Sequence, residues 1–174
     1  MTAAQSRARG FTLIELMVVT AIIGLLASVA VPVYVRATLR ARTAERGTIL
    51  QSMRTGIEDA FVRNLVPPGG LHGNPNPAGV PGPSKRAFRN MDGDWRLINV
   101  VVQGDTYYTY EFVAVEAQAN TAAIYTMSAV GDLDGDTAPS EKQFVLARTD
   151  GRWAVQLEDP PAGQEDDLSP DRTF

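Results

Sequence analysis

Phe11 to Val35 reads FTLIELMVVTAIIGLLASVAVPVYV, a run with one charged side chain, Glu15. At the helical rise of about 1.5 Å per residue this run spans roughly 37 Å, more than a bilayer hydrocarbon core of about 30 Å. Its apolar residues fall on every face of a helix, so no side is reserved for water. A short polar leader, MTAAQSRARG, precedes it, with Arg7 and Arg9 near the end. A carboxylate inside lipid costs several kcal/mol unless it is paired, which makes Glu15 a functional residue by default. Gly24 and Pro32 are weak points in the helix. Pro32 lacks an N–H and its ring clashes one turn back, at a cost of about 3 kcal/mol. A proline kink at a membrane boundary accords with those two residues.

Three readings compete for this segment. A secretory signal peptide has a basic start, an apolar stretch and a small-x-small cut site, here Ser28-Val29-Ala30. Glu15 within the run and Pro32 just after that cut oppose it. A plain membrane anchor explains the length and leaves Glu15, Gly24 and Pro32 without a purpose.

The third reading rests on a motif. Arg9-Gly10-Phe11-Thr12-Leu13-Ile14-Glu15-Leu16 resembles the cleavage and methylation motif of type IV pilins and type II secretion pseudopilins. The likeness continues through Met17-Val18-Val19, Ala21-Ile22-Ile23-Gly24 and Ala30-Val31-Pro32, and covers about the first 35 residues. The resemblance implies that a prepilin peptidase, a membrane aspartyl protease, cuts after Gly10 and methylates the new amine of Phe11. It implies a leader on the cytoplasmic side of a bacterial inner membrane and a body outside. After assembly, the subunit would lie in a filament at the cell surface or in the periplasm. Charge counting points weakly the other way, because Arg36, Arg40, Arg42 and Arg46 follow the span; the motif outweighs it.

In that family the glutamate matching Glu15 attracts the terminal amine of a neighbouring subunit. Desolvation opposes burying such a pair, so register is its better-supported role. The stretch between the positions of Gly24 and Pro32 can unwind in assembled pili. The implied partners are other pilins in a homo- or hetero-polymer, the peptidase, inner-membrane assembly machinery and membrane lipid.

Beyond Val35, helical character continues. Ile49/Leu50, Met53, Ile57, Ala60/Phe61 and Leu65 recur at spacings of three and four, the stripe of an amphipathic helix over 36–66. Pro67-Pro68-Gly69-Gly70 ends it. From Phe11 to about Leu65 the helix would run roughly 80 Å. Residues 67–84 are dense in Pro and Gly and read as a loop, with His72 solvated in it. Strands are expected over Trp95–Val102, Tyr107–Val115, Ala122–Val130, Gln143–Arg148 and Arg152–Leu157. Asp150-Gly151 between the last two is a strong hairpin signal. The expected fold is α+β: a long N-terminal helix packed on a small antiparallel sheet that forms a head over 67–157. Residues 158–174 hold six acids against Arg172 and read as a flexible tail.

The head offers one candidate metal site. Gly131-Asp132-Leu133-Asp134-Gly135-Asp136 sets carboxylates at alternate positions of a turn, which suits a hard cation such as Ca²⁺. Gly135 stands one place early for an EF-hand, and the bland alternative is a solvated acidic turn. Enzyme chemistry finds little footing, with one histidine, no cysteine and no phosphate-binding glycine loop. The formal net charge of -4 gives no sign of a nucleic-acid partner. The arginines after the span are expected near lipid headgroups or against acids of adjacent subunits. The best reading is a structural subunit of a type IV pilus, major or minor. The alternatives are a type II secretion pseudopilin and, from another class, a membrane-anchored calcium-binding module.

Overall fold

The computed structural model describes residues 10–89, 93–119, 122–133, 135 and 139–159. Helix α1 spans Leu13–Val62 and continues through Gly24 and Pro32. The chain divides into two compact units, residues 1–38 and 39–174. In the first unit the described residues form the apolar stretch of α1. In the second, the rest of α1 lies beneath an antiparallel sheet.

The head forms because one stripe of α1 is apolar where the first stretch is apolar all round. Leu39, Thr43, Arg46, Leu50, Met53, Ile57, Ala60 and Phe61 are buried, at helical spacings of one, three or four. Met53, Ile57 and Ala60 are fully enclosed. The helix stops at Asn64, which takes a left-handed φ of 55°. Leu65 N–H then reaches back to the Ala60 carbonyl at 2.9 Å, and Asn64 N–H to that of Phe61 at 3.2 Å. This pattern satisfies two otherwise orphaned carbonyls.

The sheet runs in the order β1 (Leu71–Asn76), β4 (Thr109–Val115), β5 (Ile124–Gly131), β6 (Ser140–Thr149) and β7 (Arg152–Asp159), every pair antiparallel. A second ribbon pairs β2 (Arg86–Ala87) with β3 (Asp105–Thr106). On β4, Tyr110, Phe112 and Ala114 are buried while Glu111 and Val113 between them are exposed. The period of two therefore gives one face to the core. Large and small residues interlock across strands: Ala114 lies between Leu71 and Tyr125, and Gly73 lies opposite Phe112. A methyl group on Gly73 would stand 2.0 Å from the Phe112 ring. Trp153 packs at 4.7 Å from both the Phe61 and Tyr125 rings, joining β7 to the helix stripe.

Several expectations hold. The four strands read between Tyr107 and Leu157 form, and Asp150 and Gly151 take positive φ of 52° and 75° in the two-residue turn between β6 and β7. Positive φ at both positions matches the twist of the flanking strands. Three expectations fail. First, the loop over 67–84 contains strand β1, and His72 lies on it. Composition misled here because β1 is an edge strand, where Pro75 loses no ladder bond on its open side.

Second, Trp95–Val102 is not a strand. It starts as a 3₁₀ turn, η1 (Gly93–Arg96), and Asn99 takes a φ of 48°. Its apolar residues plug the core instead of pairing. Trp95 meets Phe88 and Phe112 edge-on at 5.2 and 5.0 Å, and its indole N–H donates to the Asn74 carbonyl at 2.9 Å. Third, the arginines after the span are not all surface groups. Arg46 is buried with its guanidinium 5.4 Å from the Tyr108 ring, and Arg42 lies 4.9 Å from that of Tyr107. Stacking on aromatic faces lets these cations leave water.

Gly56 shows how closely helix and head approach: a methyl group there would meet the Ile98 carbonyl oxygen at 2.1 Å. Gly47 has open space instead. In a plain helix, Gly to Ala gains up to about 1 kcal/mol. Gly47→Ala should therefore leave the melting temperature of the detergent-solubilised subunit unchanged or slightly raised. Gly56→Ala should lower it by several degrees, since overpacking costs about 1–3 kcal/mol. Thermal denaturation of the two variants side by side checks this.

Candidate functional site

The apolar stretch of α1 is uncovered within the subunit. Phe11 is 83% exposed, and every large apolar side chain from Leu13 to Val35 is between 45% and 76% exposed. The helix is long and apolar enough to cross a membrane. Its two aliphatic hydroxyls are satisfied along the helix. The Thr20 hydroxyl donates to the Met17 carbonyl at 3.0 Å, and that of Ser28 to the Leu25 carbonyl at 2.7 Å. Back-bonding of this kind lets a hydroxyl sit among apolar neighbours without an unmet donor.

Glu15 sits one turn into the chain after Gly10, and its carboxylate folds back on the helix start. Its Oε2 accepts from the Thr12 N–H at 2.9 Å and from the Thr12 hydroxyl at 2.8 Å. The Glu15 N–H in turn donates to Thr12 Oγ1 at 3.3 Å. Thr12 and Glu15 thus form a reciprocal cap, the capping box, in which two orphan donors at the helix start are met. Phe11 before the cap and Leu16 after it are the positions of a hydrophobic staple. The second carboxylate oxygen, Oε1, has no hydrogen-bond partner among the described residues. Glu15 is therefore fixed in direction with one oxygen open.

The other expected site residues fare differently. Gly10 and Phe11 are exposed at the head of the helix. Gly24 has open space around it and Pro32 lies inside the continuous helix, so neither breaks it in the isolated subunit. Of the three aspartates read as a cation loop, Asp134 and Asp136 lie outside the described residues, as do residues 1–9 and 160–174. Asp132 is buried and its Oδ1 accepts from the Gly135 N–H at 2.8 Å, so it closes its own turn. No group of three or more metal-ligating side chains occurs among the described residues. Thr12 is the functional residue that reading the sequence missed. Its signal was present: Thr-x-x-Glu directly before an apolar run is the sequence form of a capping box.

Residues 5–31 match the prokaryotic N-terminal methylation motif. The N-terminal part of the chain is similar to that of type IV pilins. It is 38% identical over 76 residues to a type IV major pilin of Neisseria gonorrhoeae, covering 44% of this chain and 33% of that one. A type IV major pilin of Myxococcus xanthus is 46% identical over 55 residues, 32% of this chain and 25% of the relative. A fimbrial protein of Neisseria meningitidis is 39% identical over 72 residues, 41% of this chain and 40% of the relative. The chain thus spans between a quarter and two-fifths of the length of these curated relatives. No solved structure matches it. The matched motif falls mostly on the part of the chain where packing leaves the helix bare.

The cap makes a local prediction. Replacing an N-cap Thr by Ala costs about 1 kcal/mol. Thr12→Ala should therefore speed exchange of the Glu15 amide about fivefold in detergent micelles, while amides near Met53 stay protected. Residue-resolved hydrogen exchange by NMR measures both.

Proposed function

We propose that the chain is a structural subunit of a type IV pilus, held by its N-terminal helix in a bacterial inner membrane and then polymerised through that helix. One observation carries the reading: an uncovered apolar helix begins two residues after the Gly10-Phe11 junction, with Glu15 capped in place and one carboxylate oxygen open. The names of the relatives, major pilins and a fimbrial protein, point the same way. The role is structural and calls for no catalytic group.

The steps follow from solvation. A prepilin peptidase cuts after Gly10 and methylates the amine of Phe11. The cut converts an uncharged peptide nitrogen into an ammonium beside an apolar helix. In lipid both that cation and the Glu15 carboxylate lack counter-charges, apart from the neutral donors of Thr12. In a filament the open Oε1 meets the ammonium of a neighbouring copy. The pair sets the axial stagger, since a mismatch of one turn strands two charges among apolar side chains. The exposed residues from Leu13 to Val35 then exchange lipid for one another. Gly24 and Pro32 mark where the helix gives way most easily if packing demands it.

Two outcomes are expected. Intact-mass measurement of the subunit from its host should give a chain starting at Phe11 with one added methyl group. A chain retaining Met1, or starting at Val31, would defeat the reading. Glu15→Ala should insert in the membrane at the parental level while filament yield drops sharply on shearing and sedimentation. Normal filament yield from that variant would remove the role given to the carboxylate. A secretion defect with filaments intact would instead favour the pseudopilin alternative.

A further inference from the structure

The head contains a cleft of about 570 Å³, walled by β1 and by residues from β2 and η1. That size lies within the usual range of small-molecule sites. Its frame is rigid. Asn76 clamps the backbone of Arg89 twice, through Nδ2 to the Arg89 carbonyl at 2.9 Å and from the Arg89 N–H to Oδ1 at 3.1 Å. On the other side the His72 N–H donates to Asp94 Oδ2 at 2.7 Å, and the Trp95 indole donates to the Asn74 carbonyl at 2.9 Å. Pro75 and Pro77 also line the cleft and have no N–H to offer. Charged side chains line it as well.

Two of those side chains are cations with no ion pair among the described residues. Arg86 is half-buried, and its contacts are neutral oxygens: the carbonyls of Ala78 and Gly79 at 3.2 and 3.1 Å, and the Thr109 hydroxyl at 2.5 Å. Its Nε is buried with no acceptor. Desolvation lowers its pKa, the mark of a cation removed from water without an anion beside it. Arg89 is exposed. Neither arginine has an ion pair among the described residues. Asp94 also lines the cleft, with Oδ2 bonded to the His72 N–H and Oδ1 unpartnered among the described residues. A bare anion would answer the arginines and repel Asp94. A ligand that joins a carboxylate to hydroxyl donors answers both.

We infer that this cleft binds a small hydroxylated carboxylate, of acidic-sugar chemistry, with Arg89 taking the carboxylate, Arg86 adding positive charge to the wall and Asp94 taking hydroxyl donors. A guanidinium–carboxylate contact is short, charge-assisted and about twice as strong as a neutral one. Nη1 of Arg86 already holds the 78–79 backbone and Nη2 the Thr109 hydroxyl, so Arg89 is the residue to vary.

Isothermal titration of the full chain in detergent micelles tests the inference, with glucuronate, glucose and inorganic sulfate as probes at constant ionic strength. Glucuronate should bind saturably, and glucose and sulfate about tenfold more weakly or worse, since each lacks one half of the match. Arg89→Gln should weaken glucuronate about tenfold with an unchanged melting temperature. Arg86→Lys should also weaken it, and circular dichroism shows whether the head stays folded in that variant. Glucuronate binding no tighter than glucose would overturn the inference. So would sulfate binding as tightly as glucuronate, or an Arg89→Gln variant that binds as the parent does.

Discussion

Apolar surface that the subunit cannot cover by itself is the constraint on which the molecule depends. Along the first stretch of α1 the large apolar residues stand open, on every face of the helix. Water is the wrong solvent for such a rod, at roughly 25 cal/mol for each Å² left exposed. Lipid or an apolar protein surface removes that cost. Both surroundings are apolar and offer no hydrogen bonds, so they demand the same things of the helix. Hydroxyls must bond along their own helix, as Thr20 and Ser28 do. Charges must be few and directed, as Glu15 is.

Past Leu39 the same helix solves a different problem. Its apolar residues narrow to one stripe, and the five-stranded sheet supplies the cover. The fit is stereochemical as much as hydrophobic. Gly56 lets the Ile98 backbone come close, Gly73 makes room for Phe112, and Gly131 lies where a methyl group would meet the Tyr108 ring at 2.4 Å. Around the stripe, polar groups tie helix to strands. Glu45 accepts from the Lys85 ammonium at 3.0 Å and from the Tyr107 N–H at 3.2 Å, and the Tyr125 hydroxyl donates to Glu58 at 2.8 Å. The head thus completes its own core, which leaves the apolar stretch of α1 free for whatever surrounds it.

In the proposed assembly the helix start serves both stability and pairing. A capping box needs only one oxygen of its carboxylate. Here both donors of Thr12 converge on one oxygen, so Glu15 caps and still presents an acceptor. The cap also limits the rotamers open to Glu15 before any neighbour arrives. A group already held in direction loses less freedom on pairing, which favours the paired state.

What the amino-acid order determined alone is what depends on near neighbours. The apolar run, Glu15 within it, the stripe through Met53 and Phe61, the stop before Pro67 and the turn at Asp150-Gly151 are all set by spacings of one to four residues. They could be read in advance, and so could the Thr12–Glu15 cap, which went unread although its pattern is local. Only the tertiary structure decided where distant residues compete for one place. Trp95 to Val100 has the composition of a strand, yet the space between Phe88, Phe112 and Gly56 takes Trp95 and Ile98 as plugs. Leu71–Asn76 has the composition of a loop, yet an open edge beside β4 makes it a strand. The cleft with Arg86, Arg89 and Asp94 likewise follows from contacts across 7 to 23 residues, such as His72 to Asp94. No local spacing encodes such contacts, because their free energy exists only once the core has closed.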